Sequence, residues 1–232
     1  MLKAPYVVTG ASKGLGRAIA RNLAECGHPI IALSSDAVSL GVAGAEFASI
    51  QPDSITITCD LADRADIATA AEQIKAKTRW IAGIVHNAGI ISPIKPMAEV
   101  DRADWAKNIQ INLVGVQDLT NRLIPVMGGK QQSRITTISS GASLNPVSGW
   151  SAYCVAKAGL DMWSKCLALE GSENNISSIS VAPGIVDTDM QKTIRSSNEN
   201  DFPSHKTFVE LHNDGQLVQP KLVAEKLSPL IT

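Results

Sequence analysis

Apolar residues occur along this chain in short β-branched runs, separated by longer amphipathic stretches. "PYVVTG" near the N-terminus reads as a strand ending in a glycine turn. Residues 15–26, "LGRAIARNLAEC", set Leu15, Ile19 and Leu23 four apart on one helical stripe, and Gly27 stops that helix. Further strands are predicted at 29–34 ("PIIALS"), 54–59 ("SITITC"), 81–86 ("IAGIVH"), 134–139 ("RITTIS") and 176–182 ("ISSISVA"). Helices are predicted over 63–77, 102–127 and 151–172, and the terminal "KLVAEKLSPLIT" has a helical pattern as well. Several of these strands, such as "PIIALS" and "IAGIVH", are apolar rather than alternating, as strands buried on both faces are. Strand–helix alternation of this kind predicts one α/β domain over residues 1–232, a doubly wound parallel sheet with helices on both faces. Only 191–219, "QKTIRSSNENDFPSHKTFVELHNDGQLVQ", is loose and polar. It is either a flexible surface loop or a substrate loop that closes as a lid over a site at the strand ends.

Composition narrows the classes without changing that picture. The 232 residues are 44% apolar and 19% charged, with a formal net charge of −1 and no block of like charge. This argues against nucleic acid or a membrane surface as partner. The N-terminal "MLKAPYVVTG" lacks the apolar core of a secretory signal, and no apolar run approaches the roughly 20 residues of a spanning helix. Cys26, Cys59, Cys154 and Cys166 form no CxxC pair, and His28, His86, His205 and His212 show no ligand-like spacing. No metal site is expected. The thiols read as reduced and the location as cytoplasmic.

Chemistry enters at the first turn. "TGASKGLGR" places Gly10, Gly14 and Gly16 between a strand and an amphipathic helix. In that context Gly10 permits the tight turn, Gly14 lets a pyrophosphate approach the backbone, and Gly16 lets the helix pack close to the sheet. The helix N-terminus then offers free N–H groups to phosphate. A dinucleotide site is one reading; a purely structural strand–helix turn is the other.

A second stretch, "SAYCVAKAG", puts Tyr153 four residues before Lys157, a helical rotation of about 400°, so the two side chains share one face. Alone, the pair is an ordinary helical contact. Ser140 ends the fifth predicted strand, thirteen positions before Tyr153. A strand end and the following helix can converge where parallel sheets bind ligands. A carbonyl accepting hydride develops negative charge on oxygen and needs a proton donor in place. Tyr153 suits that role as general acid, Lys157 as the ammonium that lowers the phenol's pKa from about 10, and Ser140 as the donor that holds the oxygen. Cys154 is turned about 100° from Tyr153 and reads as packing.

The GxxxGxG spacing resembles the short-chain dehydrogenase/reductase superfamily, and other stretches resemble it in order. They are "CDLAD" with Asp60 and Leu61, "HNAGI" with Asn87, Ala88 and Gly89, "INLVG" with Asn112, "ISS" ending at Ser140, "YCVAK" at 153–157 and "VAPGIVDTDM" at 181–190. The resemblance covers nearly the whole chain and implies a Rossmann-type, cofactor-dependent oxidoreductase. It implies that Ser12, Lys13, Gly14 and Leu15 hold the cofactor's phosphates and that Asp60 lies by the adenine, besides capping the next helix. Asn87–Gly89 would pack beneath the cofactor. Pro183, Gly184, Val186 and Thr188 would hold the nicotinamide, with Tyr153 and Lys157 at its ribose. Asn112 would bend its helix and hold a proton-relaying water.

The second strand ends "ALSSD". Ser34, with Ser35 beside it, takes the place where an NAD enzyme carries an acid, and Lys13 can reach a 2′-phosphate. NADPH is therefore expected, although Asp36 stands close enough in sequence to address a ribose. Ile91, Pro93, Leu144, Asn145, Trp150, Ile185 and Met190 are expected to line a largely apolar substrate pocket. "VAPGIVDTDMQ" and "NAGIISPI" look most like the fungal benzil-reductase and sepiapterin-reductase-like branch, implying reduction of a hydrophobic or aromatic ketone or diketone. A 3-oxoacyl carrier-protein reductase and a non-catalytic NADP-binding regulatory protein are the alternatives. The family's last strand has no counterpart after the terminal helix. A homodimer or higher homo-oligomer is expected through helices at 105–127 and 152–170.

Overall fold

The computed structural model describes residues 3–232. Its strands are β1 (Tyr6–Thr9), β2 (Ile30–Ser34), β3 (Ile55–Thr58), β4 (Gly83–His86), β5 (Ser133–Ile138) and β6 (Ile176–Val181). They form one parallel sheet in the order β3-β2-β1-β4-β5-β6. The order reverses between β1 and β4. Crossover connections leave on opposite sides there, so a crevice opens at the carboxyl ends of those strands.

The burial pattern explains why the central strands β1, β2 and β4 are apolar along most of their length. Successive side chains point to opposite faces. Tyr6 and Val8 enter one core with Ile30 and Ala32, while Val7, Ile31 and Leu33 enter the other. The first core is covered by α1 (Gly14–Glu25), α2 (Ala37–Ile50) and α9 (Pro220–Ile231), the second by α3 (Arg64–Lys77) and α5 (Gly115–Leu123) with part of α6 (Ser151–Gly171). A third apolar cluster, with Ile91, Trp150, Tyr153, Ile194 and Phe202, stands apart from both.

Three elements differ from the sequence expectation. Helix α2 was not anticipated: "AVSLGVAGAEFASI" has no clean stripe, and only Leu40, Ala43 and Phe47 are buried. Its start is set by Asp36, whose carboxylate accepts from the amides of Val38 and Ser39 and from the Ser39 hydroxyl. The expected single helix over 102–127 is instead α4 (Arg102–Ile109), a π-helical turn at Gln110–Val114, and α5. Finally, much of 191–219 is ordered as helix, through the rest of α7 (Asp189–Arg195) and through α8 (His205–Asn213), and Phe202 between them is fully buried. The reading of this segment as a flexible surface loop fails, because a completely buried aromatic side chain anchors it to the third cluster. Among the described residues no helix is long and apolar enough to cross a membrane.

Candidate active site

The crevice is a cavity of about 870 Å³ lined from the ends of the strands. Its floor is built by two turns that clamp each other. The Thr9 hydroxyl, at the end of β1, accepts from the amides of Asn87 and Ala88 at 3.1 and 3.0 Å. The Asn87 side-chain Nδ2 donates back to the carbonyls of Thr9 and Gly10. Gly16 is required by this clamp. A Cβ there would stand 2.2 Å from the Gly10 carbonyl oxygen and 2.3 Å from Asn87 Nδ2. Gly16 therefore supports the cavity from behind and does not line it.

Ser12, Lys13, Gly14 and Leu15 line one arm of the cavity, with Ser34, Ser35, Asp60 and Leu61. Gly10 and Gly14 have φ of +64° and +55°, so the loop exposes its backbone in a conformation other residues adopt at a cost. Helix α1 begins here with no side-chain cap at Lys13, leaving its first-turn amides for an anionic ligand. The Ser12 and Ser34 hydroxyls bond each other at 2.9 Å. Lys13 forms an ion pair with Asp189 at 3.1 Å, both side chains being more than half exposed. Such pairs are worth roughly 0–1 kcal/mol, so the contact leaves Lys13 available to a phosphate. Asp36 lies outside the lining, and its carboxylate caps α2. Asp60 lines the cavity, but its carboxylate accepts from the Ala62 amide, and the cap of α3 is Asp63. The residues fit a dinucleotide: a positive-φ glycine loop, an uncapped helix N-terminus, small hydroxyl side chains and one lysine.

The other arm brings together Ser140, Tyr153 and Lys157 with Asn87, Ala88, Gly89, Pro183, Gly184, Val186 and Thr188. The Lys157 ammonium is buried and donates to the Ile138 carbonyl at 2.8 Å, where β5 ends. It lies 5.5 Å from the centre of the Tyr153 ring. Ser140 begins the 3₁₀ turn after β5, its hydroxyl accepting from the Ala142 amide. Burial pushes Tyr153 up to about 12, the Ser140 hydroxyl opposing it, and pushes Lys157 down to about 8, with the Asp161 carboxylate opposing it. The expected depression of the tyrosine is thus not produced by the protein's own groups, because desolvation of the phenolate outweighs them.

Asn112 does not line the cavity. Within the π-turn its Oδ1 accepts from the Ile90 amide, and its Nδ2 donates to the Ile90 carbonyl and to Asn108 Oδ1. It clamps the chain just after Gly89, where a Cβ would meet Asn112 Oδ1 at 2.7 Å.

Of the pocket residues expected from sequence, Ile91, Trp150, Ile185 and Met190 line the cavity, whereas Pro93, Leu144 and Asn145 do not. Leu144 is exposed, and Asn145 donates to the Gly141 carbonyl, because the 3₁₀ turn carries both away from the crevice. Sequence reasoning missed Val147, Gln191, Thr193, Ile194 and Phe208, which also line the wall. Phe208 arrives from α8, where no motif marks it, and packs against Trp150, which in turn stacks on Phe202 at 5.2 Å. Of the histidines, His86 is buried against Thr120, His28 and His205 bond backbone carbonyls, and His212 is exposed.

A glycine-loop arm meeting a serine, tyrosine and lysine at a sheet's switch point is the arrangement the sequence motifs implied, and the short chain dehydrogenase family profile matches residues 5–199. The chain belongs to the short-chain dehydrogenase family. The benzil reductase ((S)-benzoin forming) of Bacillus subtilis (strain 168) is 35% identical over 97% of this chain and 92% of its own length. The crystal structure of the KRED1-Pglu enzyme superposes with a TM-score of 0.89 at 30% identity, over 99% of this chain and 95% of that one. An actinorhodin polyketide ketoreductase variant, crystallised with NADPH, gives 0.85 at 25% identity, over 99% and 90%. This member of the short-chain dehydrogenases is an oxidoreductase of the carbonyl/alcohol class and uses a nicotinamide cofactor.

Proposed function

We propose that the protein is an NADPH-dependent reductase of small hydrophobic or aromatic ketones and 1,2-diketones, with Tyr153 as proton donor. The observation that carries this reading is the convergence of Ser140, Tyr153 and Lys157 in a cavity whose remaining wall is apolar and aromatic. The benzil reductase relatives support the same substrate class. The preference for NADPH is supported by the uncharged Ser34 at the end of β2, the presence of Lys13 in the lining and the withdrawal of Asp36 into a helix cap.

The bound nicotinamide supplies the hydride. The chain's part is positional and protonic. Ser140 donates a hydrogen bond to the substrate carbonyl oxygen and fixes its direction. Tyr153, held as the neutral phenol by burial, gives its proton to the oxygen as negative charge develops there. Lys157, in its ammonium form, stabilises the phenolate left behind and orients the cofactor ribose. Asn112 holds the Ile90 backbone so that Gly89 can lie against the lysine. A cytoplasmic homo-oligomer completes the reading. Val155, Met162 and Leu169 stand exposed at seven-residue intervals along α6, a stripe suited to a second copy, and light scattering tests it.

The deciding experiment follows NADPH oxidation with benzil, a panel of aryl ketones and a 3-oxoacyl carrier-protein thioester. The expected result is turnover of benzil, and its loss by about a hundredfold or more in Tyr153→Phe with NADPH binding retained. Turnover of the thioester alone would assign the enzyme to acyl-chain reduction. NADPH binding without turnover of any carbonyl would favour a regulatory protein. A Tyr153→Phe enzyme of undiminished rate would overturn the mechanism.

A further inference from the structure

We infer that Phe208 is the specificity-determining residue that selects an aryl group on the carbonyl substrate: its ring is the face against which the substrate's own ring packs. The inference rests on the proposed reduction of ketones and diketones.

Phe208 lies on α8 and lines the cavity. It ends a run of three rings that leads from the core to the cavity wall. Phe202 has no exposure and stacks on Trp150, with ring centroids 5.2 Å apart. Phe208 lies 5.4 Å from Trp150 and 5.6 Å from Phe202, tilted by 50° and 41°. These separations fall within the range of favourable aromatic pairs. Two buried rings thus back the third and hold it in place before any ligand arrives, which lowers the ordering cost of binding. Phe208 itself is only half-buried, and α8 has no fully buried residue. An apolar group in the cavity would remove the rest of that ring from water, which favours its binding.

Trp150 also relates this face to the chemistry. It meets Tyr153 edge-on at 5.8 Å and Phe208 at 5.4 Å, so the proton donor and Phe208 are neighbours of one indole. A ring joined directly to the carbonyl at Tyr153 is then within reach of Phe208. Trp150 lines the cavity too, but it is 5% exposed and its ring is already packed by Tyr153, Phe202 and Phe208. Ile91, Val147, Met190 and Ile194 carry no ring and accept any apolar group of fitting size. Phe208 adds a π-face, with which an aryl group gains attraction beyond its buried area and an alkyl group does not.

The test compares 1-phenyl-1,2-propanedione with 1-cyclohexyl-1,2-propanedione in the wild type, Phe208→Leu and Phe208→Tyr. The two substrates share the dicarbonyl unit and differ in whether the ring is aromatic. Their intrinsic reactivities differ, so the informative quantity is the change in the ratio of kcat/KM values. Phe208→Leu is expected to lower kcat/KM for the phenyl compound about fivefold and to leave the cyclohexyl compound within about twofold, with unchanged NADPH affinity. Phe208→Tyr keeps the ring and is expected to keep the wild-type ratio. Equal losses on both substrates in Phe208→Leu, as a loosened α8 would cause, would overturn the assignment. So would an unmoved ratio, or a ratio that Phe208→Tyr lowers as far as Phe208→Leu does. With a wild type that reduces these diketones, any of those results removes this inference alone. If the wild type reduces neither of them nor benzil, the proposed function falls with it.

Discussion

Lys157 shows how a single side chain is placed against its own chemistry. Its ammonium is buried and is pushed from an ordinary 10.5 down to about 8, desolvation being the larger cause. Because the folded pKa lies below the unfolded one, the unfolded chain binds more protons between about 8 and 10.5. The cost to folding is therefore complete below pH 8 and is relieved as pH rises toward 10.5. Lys157→Met is expected to be the more stable protein at pH 7, since it removes the desolvation cost of the buried ammonium. The advantage should shrink by pH 10, and melting temperatures at the two pH values measure it. The same substitution should abolish carbonyl reduction. Tyr153 carries the opposite sign, since its pKa of about 12 lies above the ordinary 10.0, so it opposes folding only above pH 10. Across the neutral range the phenol stays protonated, which suits a proton donor.

At the scale of the element, sequence pattern and observed structure agree where an element has one apolar face and one function. Helix α1 is legible from Leu15, Ile19 and Leu23, all buried as the stripe predicts. Helix α2 was not legible because its buried face is narrow and Val38 and Val42 stand in solvent. Its clearest mark is the Asp36 cap, which sequence reasoning had considered for the ribose. Asp36→Ala should lower the melting temperature while leaving the NADPH dissociation constant unchanged, whereas Lys13→Ala should weaken NADPH about tenfold and spare NADH. Isothermal titration with both nucleotides separates the two. The segment around α7 and α8 depends on Phe202, which has no exposure and stacks on Trp150. Phe202→Ala is expected to cost about 3–5 kcal/mol, and hydrogen exchange should show that loss first in α7 and α8. Unchanged protection there would mean that the segment is held by something other than this aromatic stack.

For the whole molecule, the alternation of strand and helix was enough to imply a parallel sheet. The order β3-β2-β1-β4-β5-β6 follows from right-handed crossovers running both ways from β1. That order places the ends of β1 and β4 at the switch point, and with them both the glycine loop and the Asn87 turn. The motifs are therefore readable as a site from the sequence, although they are spread from residue 9 to residue 190. Each sits at a strand end, and strand ends are what the topology gathers.

The sequence by itself determined the fold class, the family and nearly all of the glycine-loop arm of the cavity, because those depend on local rules: glycine where backbones approach, apolar strands between two layers, Tyr153 and Lys157 one helical turn apart. The tertiary structure alone decided the substrate wall and the electrostatics. Phe208 reaches the cavity from a helix that carries no motif, Gln191 lies at the end of the "VAPGIVDTDMQ" stretch without being marked as a pocket residue, and Leu144 turns away from the cavity within a short 3₁₀ turn. The direction in which Tyr153 and Lys157 are shifted was likewise invisible in the sequence. It depends on how much water is excluded around each charge, a property of the packed whole that no spacing along the chain encodes.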